Sequence, residues 1–463
     1  MNRLKTLALI FLLAGAESAV CKPGPTAGDC GKLRAAIEDL RETFPDRYAG
    51  GEEYLERLGR IELAMRGRKP AAARKFEQLR NEALLANPLL RELPGLLVLK
   101  RRPANAGGKV ALTALQKQIG HSAGPGLEIG MPSNHECNAS LDRGGYDNEI
   151  CLLSPVSPDG NLTTFYRPKH DGYVGELDLH FDADRLLFTQ SDATNWKLWE
   201  VDSEGKGLRQ VTQLPDDVHA MDGCYLPDGK IVLGTTASYQ SVPCWHGRKY
   251  VSNLYLMDGD GSNVRQLCFD QDHDWNPTVL PTGQVLYQRW DYTGINHIYQ
   301  RQLMTMNPDG TNQRAVYGSN SWFPNALFFP QAIPGTKNSL LCILSGYHGP
   351  HRMGQIVLVD PSQGRQEERG IVQRISGRGQ PVDPKVKDVL VGADWPKFLH
   401  PSPLSDKYFL VSAQVDRTSP WRIYLADVFD NLVPVHESAG YALLEPTPLK
   451  ARLRPPVIPD RVD

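Results

Sequence analysis

Between about residue 176 and residue 435 the chain repeats one alternation of apolar and polar positions five times. Each copy holds a strand-like run, a Pro/Asp-Gly turn, a second apolar run, a variable loop, a third run, another Asp-Gly turn and a last run. One copy reads Cys224-Tyr225-Leu226, Pro227-Asp228-Gly229, Ile231-Val232-Leu233, and later Asn253-Leu254-Tyr255-Leu256-Met257 before Asp258-Gly259. The next reads Pro277-Thr278-Val279-Leu280, Pro281-Thr282-Gly283, Val285-Leu286-Tyr287, and later Leu303-Met304-Thr305-Met306 before Asn307-Pro308-Asp309-Gly310. Such turn residues preset φ or tolerate left-handed backbone, so they punctuate strands at hairpin spacing. Four strands in each period of about 45 to 65 residues predict a β-propeller, an all-β fold.

The run Leu96–Arg101 predicts the first strand of the ring. A long Gly-rich loop containing His121, His135 and Cys137 follows it, before Glu149–Ser154 and Leu162–Tyr166 complete a blade. That blade lacks an innermost strand. The segment Tyr441–Leu449 resembles other blade openings, such as Phe398-Leu399-His400-Pro401, and is expected to supply it. Closure by strands from both ends of the chain pairs edges that would otherwise stay open. The count is six blades, one split and five continuous, or seven if the long early loop hides strands. The propeller is expected over residues 94–455, with an extended Pro-rich tail at 456–463.

Before the ring the period changes. Leu33, Ile37 and Leu40 recur at helical spacing, then Tyr54, Leu58, Ile61 and Met65, then Phe76, Leu79 and Ala83. Pro45 and Pro70 separate the three runs. Residues 19–93 thus predict a small helical cap over the side or edge of the propeller, with partner binding as the alternative.

Residues 1–18 read as a signal peptide: Arg3 and Lys5 precede the apolar run Leu7–Gly15, which is too short to span a bilayer. Cys21 opens an alternative as a lipid-anchored protein, against which Ser18-Ala19-Val20 is a poor lipidation sequence. No second apolar run is long enough to span, so a periplasmic or extracellular location is expected. Export permits disulfides among the eight cysteines, for which Cys21 with Cys30 and Cys137 with Cys151 are local candidates. The balance of 51 basic against 53 acidic residues gives no electrostatic footprint for nucleic acid.

The two ends of the ring differ in chemistry. On one, the turns within strand pairs are stereotyped and leave little room for function. On the other, the blade connections and mid-blade loops carry His170, Trp196, His219, Trp245, His273, Trp275, Trp290, His297, His351 and Trp395. Loops on a rigid scaffold carry function, and Trp, Tyr and Arg favour interface cores. These ten residues are the expected binding face for a protein, peptide or glycan partner. Cys244, His246 and His348 have spacings that suit a divalent metal such as zinc, although no regular zinc motif is present, and the bland reading is structural histidines. Gly-x-Ser-x-Gly does not occur. Glu176 and Asp178 fall near the channel, where carboxylates either hydrate it or do acid–base work.

Several stretches together resemble a known family. They include Glu149-Ile150-Cys151-Leu152-Leu153-Ser154, Asp178-Leu179-His180-Phe181-Asp182, Gln266-Leu267-Cys268-Phe269-Asp270, Tyr287-Gln288-Arg289-Trp290 and Trp395-Pro396-Lys397-Phe398-Leu399-His400-Pro401. Over residues 90 to 460 the chain resembles exported bacterial proteins related to the hydrazine synthase alpha subunit, with a TolB-like propeller. The resemblance implies the six-bladed fold and export. It does not extend to haem: no cysteine here begins Cys-x-x-Cys-His, so no covalent haem c is expected, and no other cofactor is. The expected function is a non-catalytic binding or scaffold module. The alternative is a haem-less propeller subunit of a metal- or redox-linked enzyme complex.

Overall fold

The structure is a computed structural model. It describes residues 25–67, 71–103, 124–245, 247–292, 301–324, 326–375 and 387–462, with isolated positions between 376 and 386. The expected signal peptide, Cys21, His121, His246 and His297 lie outside the described residues, as does the side chain of Cys244.

The described residues form six four-stranded antiparallel sheets arranged as propeller blades. The innermost strands, in ring order, are Ala442–Pro448, Val174–Leu179, Ala220–Tyr225, Asp274–Val279, Ala326–Ala332 and Lys397–Pro403. They open blades one to six. Blade one is completed by Leu96–Arg101, Asn148–Ser154 and Asn161–Tyr166, so both ends of the chain contribute to it. Ala442 lies opposite Arg101 and Thr447 opposite Leu97, and Ala442, Leu443 and Leu444 are essentially fully buried. The described part of the long early loop adds two short 3-10 turns, Leu127–Ile129 and Asn138–Ser140, and no further blade.

Local chemistry explains the hairpins. At Pro227-Asp228-Gly229, Gly229 takes φ +89°, a region that side chains with a Cβ seldom occupy. The Leu226 N–H then donates to the Lys230 carbonyl at 2.8 Å and closes the turn.

Among the described residues three helices precede the ring: α1 (Ala27–Thr43), α2 (Gly51–Arg66) and α3 (Ala72–Leu85), followed by the single turn α4 (Pro88–Arg91). Helix α1 opens on a capping box, in which the Asp29 N–H donates to Thr26 Oγ1 and the Thr26 N–H donates to Asp29 Oδ2. Its buried stripe, Leu33, Ala36, Ile37 and Leu40, joins one apolar core with Leu96, Val98, Leu410, Ile423 and Leu443 of blades one and six. The helices therefore cover the side of the ring where it is closed. Tyr408 Oη donates to Asp39 Oδ2 at 2.8 Å and fixes that contact.

After the last strand, the tail crosses the ends of blades two to four. The Arg452 N–H donates to the Phe181 carbonyl at 2.8 Å, and its guanidinium meets Asp178 at 3.1 Å. Arg454 pairs with Asp182, and Lys230 meets Asp460 at 2.7 Å. The Arg461 N–H donates to Asp309 Oδ2 at 2.7 Å. The apolar Leu453 of this strap is 93% exposed, so polar contacts hold it.

The expected thiol pairing is not formed. Cys137 and Cys151 are both free and buried, Cys137 against the Tyr250 carbonyl and Cys151 in the core beneath the helices. Cys30 is also a free buried thiol, 3.8 Å from Met65 Sδ.

Arg101 ties blade one to its neighbour. Its guanidinium is buried, donates to the Ile129 and Val174 carbonyls and to Asn148 Oδ1, and lies 4.2 Å over the Tyr173 ring. Arg101→Met would strand buried acceptors that cost about 1–3 kcal/mol each. We expect urea unfolding to show a loss of about 3 kcal/mol or more, with Arg101→Lys recovering only part of it because an ammonium lacks the planar fork.

Candidate functional site

Each innermost strand carries a β-bulge near its middle. The pairing register slips between Gly175 and Asp178, Met221 and Cys224, Trp275 and Thr278, Phe328 and Gln331, and Leu399 and Ser402, with the matching slip opposite Leu97 and Leu99 in blade one. At every bulge one non-glycine residue adopts left-handed backbone: Glu445, Glu176, Asp222, Asn276, Phe329 and His400, with φ between 49° and 57°. Few non-glycine residues take this conformation, and bulges re-aim side chains. Here they build one ring of six equivalent positions around the axis.

Side chains on this ring reach sideways to the next blade. Glu445 Oε2 accepts from the Leu177 N–H at 2.8 Å. Glu176 Oε2 accepts from the Asp222 N–H at 2.7 Å and from Thr189 Oγ1 at 2.6 Å. Asp222 Oδ2 accepts from the Asn276 N–H at 2.6 Å, and Asn276 Oδ1 from the Phe329 N–H at 3.3 Å. The relay then changes character: the Phe329 and His400 rings pack at 4.6 Å, and His400 Nδ1 is buried without a hydrogen-bond partner.

The ring lines an axial cavity of about 760 Å³. One end is closed by the segment after Gly124, whose residues from Met131 to Leu141 are buried. Asn138 Nδ2 donates to Glu176 Oε1 at 2.6 Å, and Asn134 Nδ2 donates to the Gly346 carbonyl at 2.9 Å. The Arg352 N–H donates to Asn134 Oδ1 at 2.6 Å, while its guanidinium donates to the Glu136 carbonyl. Lys249 and Glu136 form an ion pair at 2.9 Å with both side chains fully buried. This plug sits on the loop-rich end. The cavity reaches the opposite, turn-bearing end, where the exposed Glu92, Lys450 and Ala451 rim it. The end expected to leave little room for chemistry is thus the end on which the cavity opens.

Burial sets the electrostatics. It pushes the Asp222 carboxyl up to about 8, helped by the neighbouring Glu176 charge, and pushes Glu176 up to about 7. Both face the cavity rather than bulk water, so partial exposure coexists with costly ionisation. Glu445 is raised by burial as well, and burial pushes His400 down to about 3, leaving a neutral ring at ordinary pH.

The ten expected binding-face residues separate. Trp196, His219, His273, Trp275, Trp290 and His351 are buried. Trp245 and Trp395 are half-buried, His170 is exposed, and His297 lies outside the described residues. Among the described members of this set, Trp275 lines the axial cavity. His273 stacks on Trp275 at 4.4 Å and on Trp290 at 5.8 Å, and its Nδ1 accepts from the Ser252 N–H. His219 Nδ1 accepts from the Trp196 N–H at 3.4 Å, and burial holds that histidine down near 4. Trp196, Trp275 and Trp290 fall within strands, and His219 and His273 pack against them. Of the metal candidates, His348 is exposed and its Nδ1 lies 2.7 Å from Asp388 Oδ1. Among the described residues, the groups close enough to share an ion are His180, Asp182 and Asp184, and Cys268, Asp270 and Asp274. Arginines already serve the acids of both: Arg454 meets Asp182, and Arg289 meets Asp270 at 2.7 Å and Asp274 at 3.3 Å.

The sequence places Glu176 near the channel, but the ring around it emerges only in the structure. A signal was available: a polar residue recurs at this offset in innermost strands as Glu176, Asp222, Asn276, His400 and Glu445.

The fold has a solved counterpart. A chain of Kuenenia stuttgartiensis hydrazine synthase matches at 15% identity and a TM-score of 0.55, over 80% of this chain and 49% of that one. TolB from Acinetobacter baumannii matches at 12% identity and a TM-score of 0.42, over 81% of this chain and 72% of that one. The likeness to the first is one of fold, and this chain spans about half of that chain's length. No protein-family profile matches, and no curated protein does. Among the described residues, no helix is long and apolar enough to cross a membrane.

Proposed function

We propose that this protein is an exported binding module whose ligand, part of a protein, peptide or glycan partner or a small molecule, enters the axial cavity from the turn-bearing end. The observation that carries this reading is the cavity itself. At about 760 Å³ it falls within the range of ligand pockets, it is closed at one end, and it combines apolar walls with a few convergent polar groups. Leu177, Met221, Trp275 and Phe329 supply the apolar part, and the bulge ring supplies the polar part.

A panel of peptides, glycans and small ions screened by thermal shift tests it. Ligands that raise the melting temperature of the wild type should fail to do so with Met221→Trp, which fills the cavity. They should still bind His170→Ala and Trp395→Ala. Hits that survive cavity filling but are lost with the loop-end variants would overturn the reading and place the site on the His/Trp face.

A second reading keeps the chain as the propeller subunit of a metal- or redox-linked complex. The shared fold with a hydrazine synthase chain favours it. Co-purification of a haem-absorbing partner from the native source would support it.

A further inference from the structure

Three of the six ring positions are carboxylic acids, and they are neighbours: Glu445 in blade one, Glu176 in blade two and Asp222 in blade three. The ring is therefore asymmetric, an acidic arc facing an arc of Asn276, Phe329 and His400. Resting on the axial cavity as the ligand site, we infer that the group it takes is an organic cation, an alkylammonium or guanidinium, bound by Glu445, Glu176 and Asp222.

Unfilled acceptor capacity supports this. Glu445 is only 7% exposed and lines the cavity; the Glu176 N–H lies near its carboxylate, yet no donor meets its Oε1 in hydrogen-bond geometry. Asp222 spends Oδ2 on Asn276, and among the described residues no donor reaches its Oδ1. A buried acceptor left empty is costly, and a multi-donor cation fills it.

Nearby positive charge is mostly committed elsewhere. Arg452 pairs with Asp178, and Arg47 pairs with Glu92 at 2.8 Å by the mouth. Arg101, behind Glu445, is bonded to carbonyls. Arg352 faces the arc from the closed end, stacked 4.5 Å over both Trp275 and Phe328 with its guanidinium on the Glu136 carbonyl. His400 is held neutral by burial, and Lys450 is exposed at the rim. Ionised, the three acids outnumber the one inner guanidinium.

A bare metal ion fits less well. The acids sit on three different blades, and they are not among the groups whose donor atoms lie within 4.8 Å of one another. An ammonium or guanidinium spreads several N–H donors over a wider span, and its alkyl stem packs on Trp275 and Phe329. The same group can come from a free amine or from a Lys or Arg side chain of a peptide.

Ionising the acids on binding sends their protons to bulk solvent, so affinity must rise with pH. The test is calorimetric titration of the full chain with agmatine, with a short Arg-containing peptide, and with N-butylurea as the uncharged control. We expect agmatine or the peptide to bind about tenfold more tightly at about pH 8 than at about pH 6, with buffer-dependent heats that report proton release. The arm that binds better identifies a free amine or a peptide as the source. Glu445→Gln and Asp222→Asn, folded by circular dichroism, should each weaken binding about tenfold or more. Binding of N-butylurea as tightly as agmatine would overturn the inference, as would affinity that ignores pH and both variants. Neutral ligands that need the open cavity, with no cation bound, would overturn it while leaving the cavity as the site. Agmatine binding that survives Met221→Trp would instead overturn the cavity reading.

Discussion

A chain ending at Ser438 is expected to lose its cooperative unfolding transition and to accumulate as insoluble or loosely folded material. This truncation removes Ala442–Pro448, the innermost strand of blade one, and leaves Leu96–Arg101 as an unpaired edge facing the axis. Leu443 and Leu444 are each 0% exposed, and burying a leucine contributes about 1.5–3 kcal/mol. The ladder hydrogen bonds to Leu96–Arg101 and the Glu445 contact to Leu177 are lost with them. Together these rival the whole stability of an ordinary domain, about 5–15 kcal/mol. A chain ending at Pro448 is the control. It loses the strap, whose exposed ion pairs contribute about 1 kcal/mol or less apiece, and it should stay folded with a slightly lower melting temperature. Calorimetric scans of the two separate the closing strand from the strap. A cooperative transition retained by the shorter chain would show that closure by the last strand is dispensable.

The melting temperature of the intact, unliganded protein should fall as pH rises from about 6 to about 9. The native state holds Asp222 near 8 and Glu176 near 7, against ordinary values of 3.8 and 4.5. Between those limits the native protein binds protons that the unfolded chain releases. Each group therefore contributes stability that is complete below its unfolded value and is lost as pH rises through its folded value. Asp222→Asn keeps a side-chain oxygen for the Asn276 N–H and removes the titration. It should flatten the decline, leaving the variant more stable than the wild type by on the order of 5 °C near pH 9. Scanning calorimetry across this range checks the sign. A wild-type melting temperature that rises from about pH 6 to about pH 9 would mean that the acids are ionised and already compensated.

What the chain determines locally could be read without coordinates. The Pro227-Asp228-Gly229 turn depends on a few adjacent residues, and Gly229 at φ +89° does what such a sequence predicts. The six-bladed ring and the helical stripe of Leu33, Ile37 and Leu40 follow from periodicity. Even the closing strand was visible, because Ala442–Pro448 shares the pattern of other blade openings. The mouth of the cavity, the plug and the acidic arc were decided by tertiary structure. Glu445 and the Leu177 it bonds lie 268 positions apart, and Asn134 lies 212 from the Gly346 carbonyl it caps. The hydrogen bond that His273 Nδ1 accepts from the Ser252 N–H of the preceding blade is likewise one that no single repeat contains. Turn and strand preferences act over a few residues of backbone. The ring of left-handed residues acquires its chemistry only when six bulges from distant stretches face one axis, where burial and mutual repulsion raise the acids that the repeat had spaced along the chain.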